Sequence, residues 1–152
     1  SLVKLGNLKS NKESCEKEAE NIIRKLYGFD CGTVLFKPTK AKDQQFRLTF
    51  EGAKSYFIGG NNAFSEDNGF ALQPWINVRF ENASVVLKEN SAIAMGNYFF
   101  TETNGNVVKV EYTFGYFLYW LFSKTTTSKR SCKLLAIIKP AVPPPIITTF
   151  FL

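Results

Sequence analysis

The chain changes its hydrophobic period partway along, and that change constrains it more than any other feature. From Trp75 to Phe117 apolar and polar residues alternate in "WINVRFENASVVLKENSAIAMGNYFFTETNGNVVKVEYTFGYF". A period of two marks strands with one buried face. The Asn-Gly of "TNGN" predicts a type I′ hairpin turn, since both residues tolerate positive φ. "ENAS" and "KENS" read as tight connections, so the stretch predicts three or more antiparallel strands. In "NVVKVEYTFGY", Val108, Val110, Tyr112 and Phe114 share one face, and Lys109, Glu111 and Thr113 the other.

Upstream the period is that of helices. "SNKESCEKEAENIIRKLYGFDCG" offers Ser10 or Asn11 as N-cap and Glu13 for a capping box. Ala19, Ile22, Ile23 and Leu26 form its apolar stripe, and Gly28 ends it. "TVLFKPT" is a short extended run stopped by Pro38. "DQQFRLTFEGAKSYFIGG" predicts a second helix with Phe46, Phe50, Ala53 and Phe57 on one stripe, terminated by Gly59-Gly60. Two helices followed by a long meander predict an α+β fold, with N-terminal helices packed on a curved antiparallel sheet. A curved sheet of this kind makes a cone, and its apolar mouth suits a small ligand. Residues 10–118 form this body, and the strand pattern wants one more partner after Tyr116.

Residues 119–152 read as an atypical basic, proline-rich tail that should supply that partner. Thr125-Thr126-Thr127 is low in complexity, and Pro143-Pro144-Pro145 cannot join a ladder. One reading is a flexible tail or linker. The other is a reading frame shifted near codon 118. One codon choice for this tail, read two bases later, gives an acidic turn, an alternating strand and a His-His…Ser-Ser cluster. That frame would restore a regular last strand.

Bulk properties narrow the function classes. The 152 residues fit one domain, and 45% hydrophobic with 15% aromatic residues supply a full core. The net charge of +6 is uneven: residues 1–111 hold 14 basic and all 13 acidic residues, so the excess lies in the tail. A near-neutral body argues against nucleic-acid binding. No apolar run is long enough for a membrane-spanning helix. Cys15, Cys31 and Cys132 are scattered and the chain has no histidine, so Cys/His metal ligation and disulfide pairing both lack material. No signal-peptide pattern is visible. A processed N-terminus at Ser1 would fit a plastid or another organelle.

The motifs "FKPT", "SYFIGG", "GFALQPW", "VRFEN", "AMGNYFFT" and "VKVEYTFGY" carry a family resemblance over about residues 15–117. The chain resembles the calcium/calmodulin-dependent kinase II association-domain-like, SnoaL-like proteins now grouped as iota-class carbonic anhydrases. The resemblance implies a cystatin-like α+β cone, usually a homodimer and often in tandem copies. It implies reversible hydration of carbon dioxide to bicarbonate, without metal or with manganese or zinc. Thr39 of "FKPT" and Tyr56 of "SYF" match positions implied to contact bicarbonate or polarise the attacking water. The family's last strand ends in His-His-Ser-Ser, which this chain lacks. The implied activity is therefore expected to be impaired here, with no bound metal required.

On residue type alone, other candidates have plainer readings beside these. Trp75, Tyr98, Phe99 and Tyr112 suit a core or pocket wall. Arg79 would meet an anion in the cone or sit on the strand surface. Glu81 and Glu111 are the strand carboxylates that could face a cavity. Two further functions remain open: a non-catalytic association module, and a small-molecule isomerase, which generally wants an Asp-His pair.

Overall fold

The computed structural model describes Val3, residues 11–121 and residues 129–138, with side chains described as far as residue 118. The proline run, the threonine run and the side chains of Trp120 and Phe122 lie outside the described residues.

Helix α1 spans Lys12–Leu26. Asn11 starts it by accepting a hydrogen bond from the Ser14 amide at 3.0 Å. Glu13 in the first turn and Arg24 and Lys25 in the last complement the helix dipole. Cys15, Ala19 and Ile23, four residues apart, form its buried stripe. Helix α2 spans Phe50–Ile58, and Lys54 ties it to α1 through Glu20 at 2.8 Å.

Helix α2 is shorter than the periodicity predicts. Thr49 is its N-cap, accepting from the Gly52 amide at 3.1 Å. The preceding residues cannot be helical because their amides bond elsewhere. Lys42, Asp43 and Gln44 donate to the Glu66 carboxylate, and Arg47 donates its amide to the Phe36 carbonyl. Phe46, assigned to the apolar stripe, is instead exposed.

Five strands form one sheet: β1 Leu35–Phe36, β2 Trp75–Leu87, β3 Ser91–Glu102, β4 Val107–Leu121 and β5 Lys129–Ile138. Their order is β1-β5-β4-β3-β2. Strands β2 to β5 pair antiparallel, and β1 runs parallel to β5. "KENS" is the β2–β3 hairpin, with the Lys88 amide bonded to the Ser91 carbonyl at 2.8 Å. "ENAS" is no connection. It lies inside β2, where an irregularity between Asn82 and Ser84 absorbs the break in alternation. Further irregularities at Trp75/Asn77 and Gly115/Tyr116 add local bend and twist to the sheet.

The β3–β4 turn also differs from expectation. Among the described residues no non-glycine has positive φ, so Asn104 cannot adopt the type I′ conformation. Gly105, at φ 87°, closes a three-residue loop. Its amide bonds the Glu102 carbonyl at 3.0 Å, and the Glu102 amide bonds the Asn106 carbonyl at 2.9 Å. This is a turn followed by a left-handed glycine, the second commonest hairpin solution.

The helices cover one face of the sheet. Val110, Tyr112 and Phe100 are buried there, with Val108 and Phe114 packed against the same core. On the opposite face Lys109 and Glu111 form an exposed pair at 3.8 Å. A chain of ring contacts runs Tyr27, Phe36, Tyr56, Phe70 and Phe100, with centroid separations of 5.3–5.7 Å. Gly96 has no room for a side chain: a Cβ there would clash with the Glu81 carbonyl and meet the Tyr112 hydroxyl at 2.9 Å. The Tyr112 ring lies at this gap, and its hydroxyl donates to Asn82.

Candidate active site

A cavity of about 640 Å³ opens between α1, the segment from Phe36 to Thr39, α2 and the inner sheet face. Its wall is mostly apolar, with Ile22, Val78, Phe80 and Phe114 among the lining residues. Polar groups collect at one end, where Thr39, Tyr56 and Tyr98 meet.

The local sequence explains how they meet. Pro38 is fully buried and holds the chain extended as it leaves β1. Thr39 follows it, and its side chain approaches the Tyr98 hydroxyl closely enough to pull its pKa down. The Lys40 amide donates to the Tyr56 hydroxyl at 3.4 Å, and the Thr39 backbone also approaches that oxygen. Tyr56 projects from the last turn of α2 and is only 6% exposed. Its ring stacks on Phe70 at 5.5 Å and meets Phe36 edge-on at 5.7 Å. Tyr98 comes from β3, where the alternation turns it inward beside Phe100.

Burial pushes the Tyr56 hydroxyl well above the usual phenol range, against the smaller opposing pull of the Lys40 and Thr39 backbone. Burial also raises Tyr98, opposed by Thr39. A raised phenol pKa means that both rings stay protonated at neutral pH. Neutral hydroxyls in an apolar wall can donate to an oxygen that is gaining negative charge, and low polarity strengthens such bonds.

The other sequence candidates sit elsewhere. Trp75 is buried behind the cavity, its indole N–H donating to the Phe70 carbonyl at 2.9 Å. Tyr112 is buried between Tyr98 and Phe114 and packs the sheet rather than lining the cavity. Arg79 lies on the opposite face of the sheet, over the Phe99 ring at 4.3 Å and paired with Glu81. Its neighbours Val78 and Phe80 line the cavity, so strand alternation turns Arg79 away. Glu81 and Glu111 sit on that same outer side, each joined in register to Asn97.

A second cavity, of about 650 Å³, lies behind the hydroxyl cluster. It shares Thr39, Tyr56 and Phe70 with the first, and most of its remaining lining is polar. Glu66 accepts the Lys42, Asp43 and Gln44 amides at 2.6, 3.1 and 2.9 Å, which with Arg47 lowers its pKa to about 2. Arg47 is fully buried and bridges Glu66 at 3.1 Å and Asp67 at 3.0 Å. The other Asp67 oxygen accepts from the Ser55 hydroxyl at 2.7 Å. The Arg47 guanidinium lies over the Phe64 ring at 4.4 Å. Sequence reading missed this cluster, because its members carry no local period and lie 19 and 20 residues apart.

Among the described residues no three His, Cys, Asp or Glu side chains gather in a metal-binding group. The donors at the hydroxyl end of the first cavity are hydroxyls and backbone amides.

Comparison with known proteins agrees with this architecture. Residues 1–119 match the family described as metal-independent carbonic anhydrase. A protein of Nostoc sp. (strain PCC 7120 / SAG 25.82 / UTEX 2576), described as metal-independent carbonic anhydrase, is 42% identical over 119 residues, 78% of this chain and 55% of that protein. The chain thus spans about half the length of this relative. The crystal structure of a cyanobacterial iota-carbonic anhydrase complexed with bicarbonate superposes with a TM-score of 0.78 and 31% identity, over 93% of this chain and 85% of that one. A putative calcium/calmodulin-dependent kinase II association domain from Xanthomonas campestris gives 0.45 and 19%, over 84% of this chain and 77% of that one. With its helix-backed sheet and a family match over residues 1–119, this chain belongs to the metal-independent carbonic anhydrase family.

Proposed function

We propose that this chain hydrates carbon dioxide to bicarbonate reversibly in the apolar cavity, using side-chain hydroxyls. The observation that carries the reading is the meeting of Thr39, Tyr56 and Tyr98 at one end of a mostly apolar cavity. The apolar wall accepts carbon dioxide. Water attacks the carbon, and one C=O bond opens to carry negative charge on oxygen. The protonated Tyr56 hydroxyl donates to that oxygen, and Thr39 with Tyr98 orients the water or the product. The water proton leaves to solvent or buffer.

Histidine is the usual acceptor near neutral pH, and this chain has none. Turnover is therefore expected to fall below that of relatives ending in His-His-Ser-Ser. We also propose the tail's shifted frame as the origin of that loss, which sequencing the transcript through codons 116–140 tests.

The direct test is ¹⁸O exchange from labelled carbon dioxide, with chelator present. Wild-type protein is expected to accelerate exchange, and Tyr56→Phe to lower the rate by about 10²–10³, as for one lost oxyanion donor. Equal rates for the two proteins would remove Tyr56 from the mechanism.

A homodimer is proposed alongside. Val86, Ile93 and Met95 share the outer sheet face and are about half exposed. Light scattering on the same sample should give twice the chain mass. A dimer without exchange activity would favour the association-module reading.

A further inference from the structure

We propose that the polar cavity is a separate anion port to the reaction centre, with Lys40 as the cation beside the wall the two cavities share. This rests on the carbon dioxide hydration proposed above. The reaction turns a neutral, apolar molecule and water into an anion and a proton. Its two sides therefore differ sharply in the surroundings they favour, since a charge in an apolar wall is costly.

The two cavities match that division. They are nearly equal in volume, about 640 and 650 Å³, and meet at a wall of Thr39, Tyr56 and Phe70. The first is mostly apolar. The second is bordered by Lys40, Lys42, Asp43, Glu66, Asn68 and Gln73 among others. Tyr56 stands in the wall with its hydroxyl held by the Lys40 amide, so the same residue reaches both sides.

The second cavity is bordered by two cations, Lys40 and Lys42, and three carboxylates, Asp43, Glu66 and Asp67. Glu66 is committed to three amides and Arg47, Asp67 is committed to Arg47 and Ser55, and Asp43 is offset in charge by its neighbour Lys42, which leaves Lys40 to meet an anion. The Lys40 ammonium has lighter ties. It donates to the Gln73 side chain at 3.2 Å and lies 5.6 Å from the Phe70 ring centre. That places it beside Phe70 of the shared wall, one residue from Thr39. Bicarbonate leaving the hydroxyl cluster on this side meets an ammonium, whereas carbon dioxide enters through the apolar side.

Xenon and iodide are the probes, used on crystals of the full chain. Xenon should occupy the apolar cavity and iodide the polar one, within contact distance of the Lys40 ammonium. In solution, Lys40→Glu should weaken iodide binding about tenfold or more, a modest share of the Coulomb change on charge reversal. Lys40 is exposed, so this variant should keep its fold, checked by circular dichroism. Iodide should also inhibit ¹⁸O exchange, and the variant should need correspondingly more.

Iodide in the apolar cavity, iodide in neither cavity, or equal iodide affinity in the two proteins would overturn the port. The two proposals fail separately. Iodide held by Lys40 in a protein without exchange activity keeps the anion site and removes the hydration reading. Exchange that proceeds while iodide ignores Lys40 removes the port alone.

Discussion

The β2–β4 meander and the loop from Gly59 to Gln73 flank the same cavities but are held together by opposite means. The meander is held by continuous strand register and by aromatic contacts on its inner face. The loop contains only two short 3₁₀ turns, Asn62–Phe64 and Phe70–Leu72. Its middle is fixed by charge, through Arg47, Glu66 and Asp67. Loss of one group should therefore spread differently in the two regions. In the meander a neighbour can shift. In the loop a buried charge is left without its partner.

Arg47→Met tests this most severely. It removes the cation and leaves Asp67, whose side chain is 2% exposed, facing only Ser55. Breaking a buried pair by removing one partner costs about 3–5 kcal/mol. The urea midpoint should drop accordingly, and amide exchange should quicken first in residues 59–70. The exposed Arg79–Glu81 pair on the meander supplies the contrast. Arg79→Ala there should cost about 0–1 kcal/mol. Similar losses at the two arginines would break the comparison.

Gly96→Ala probes the meander at its tightest point. Its Cβ would clash with the Glu81 carbonyl, so β2 and β3 must part and the Tyr112 ring must move. Overpacking of this kind costs about 1–3 kcal/mol. The loss should appear as a lower unfolding midpoint, with Tyr112 and Asn82 resonances shifted. An unchanged midpoint would show that the sheet gives way here more easily than its register implies.

The same contrast explains what the sequence disclosed. Alternation over Trp75–Phe117 is local, so the meander could be read directly, down to the inward set Val108, Val110, Tyr112 and Phe114. Its details could not. Asn-Gly serves both a two-residue and a three-residue loop, and only the negative φ at Asn104 decides. "ENAS" resembles a turn, but strand pairing on its far side overrides that and leaves only an irregularity. Helix α2 is shorter than its apolar stripe implies, because Phe46 extends the stripe while the Lys42 and Gln44 amides bond to Glu66, more than 20 residues on. Of the site candidates, Thr39, Tyr56 and Tyr98 come together although Tyr98 lies far along the chain. Arg79 could have been set aside from alternation alone, since Val78 and Phe80 claim the inner face. Nothing in "SEDNG" announces that Glu66 and Asp67 anchor a buried arginine.

Acid provides a finer separation of the two regions. Glu66 normally titrates at 4.5 and is lowered to about 2, chiefly by the amides of Lys42 and Gln44, with Asp43 and Arg47 adding to them. A carboxyl with a depressed folded pKa favours the folded state most when both states are ionised. Its contribution is therefore complete above about 4.5 and is lost as pH falls from there toward about 2. Glu66→Gln keeps the shape and removes the charge. The variant should be less stable than wild type at pH 6, and the gap should close as pH falls through that window. Urea midpoints of the two proteins between pH 6 and pH 2.5 measure it. Parallel acid limbs would mean that the amides hold Glu66 no better in the folded chain than water does in the unfolded one, and that the loop is fixed by Asp67 and Arg47 alone.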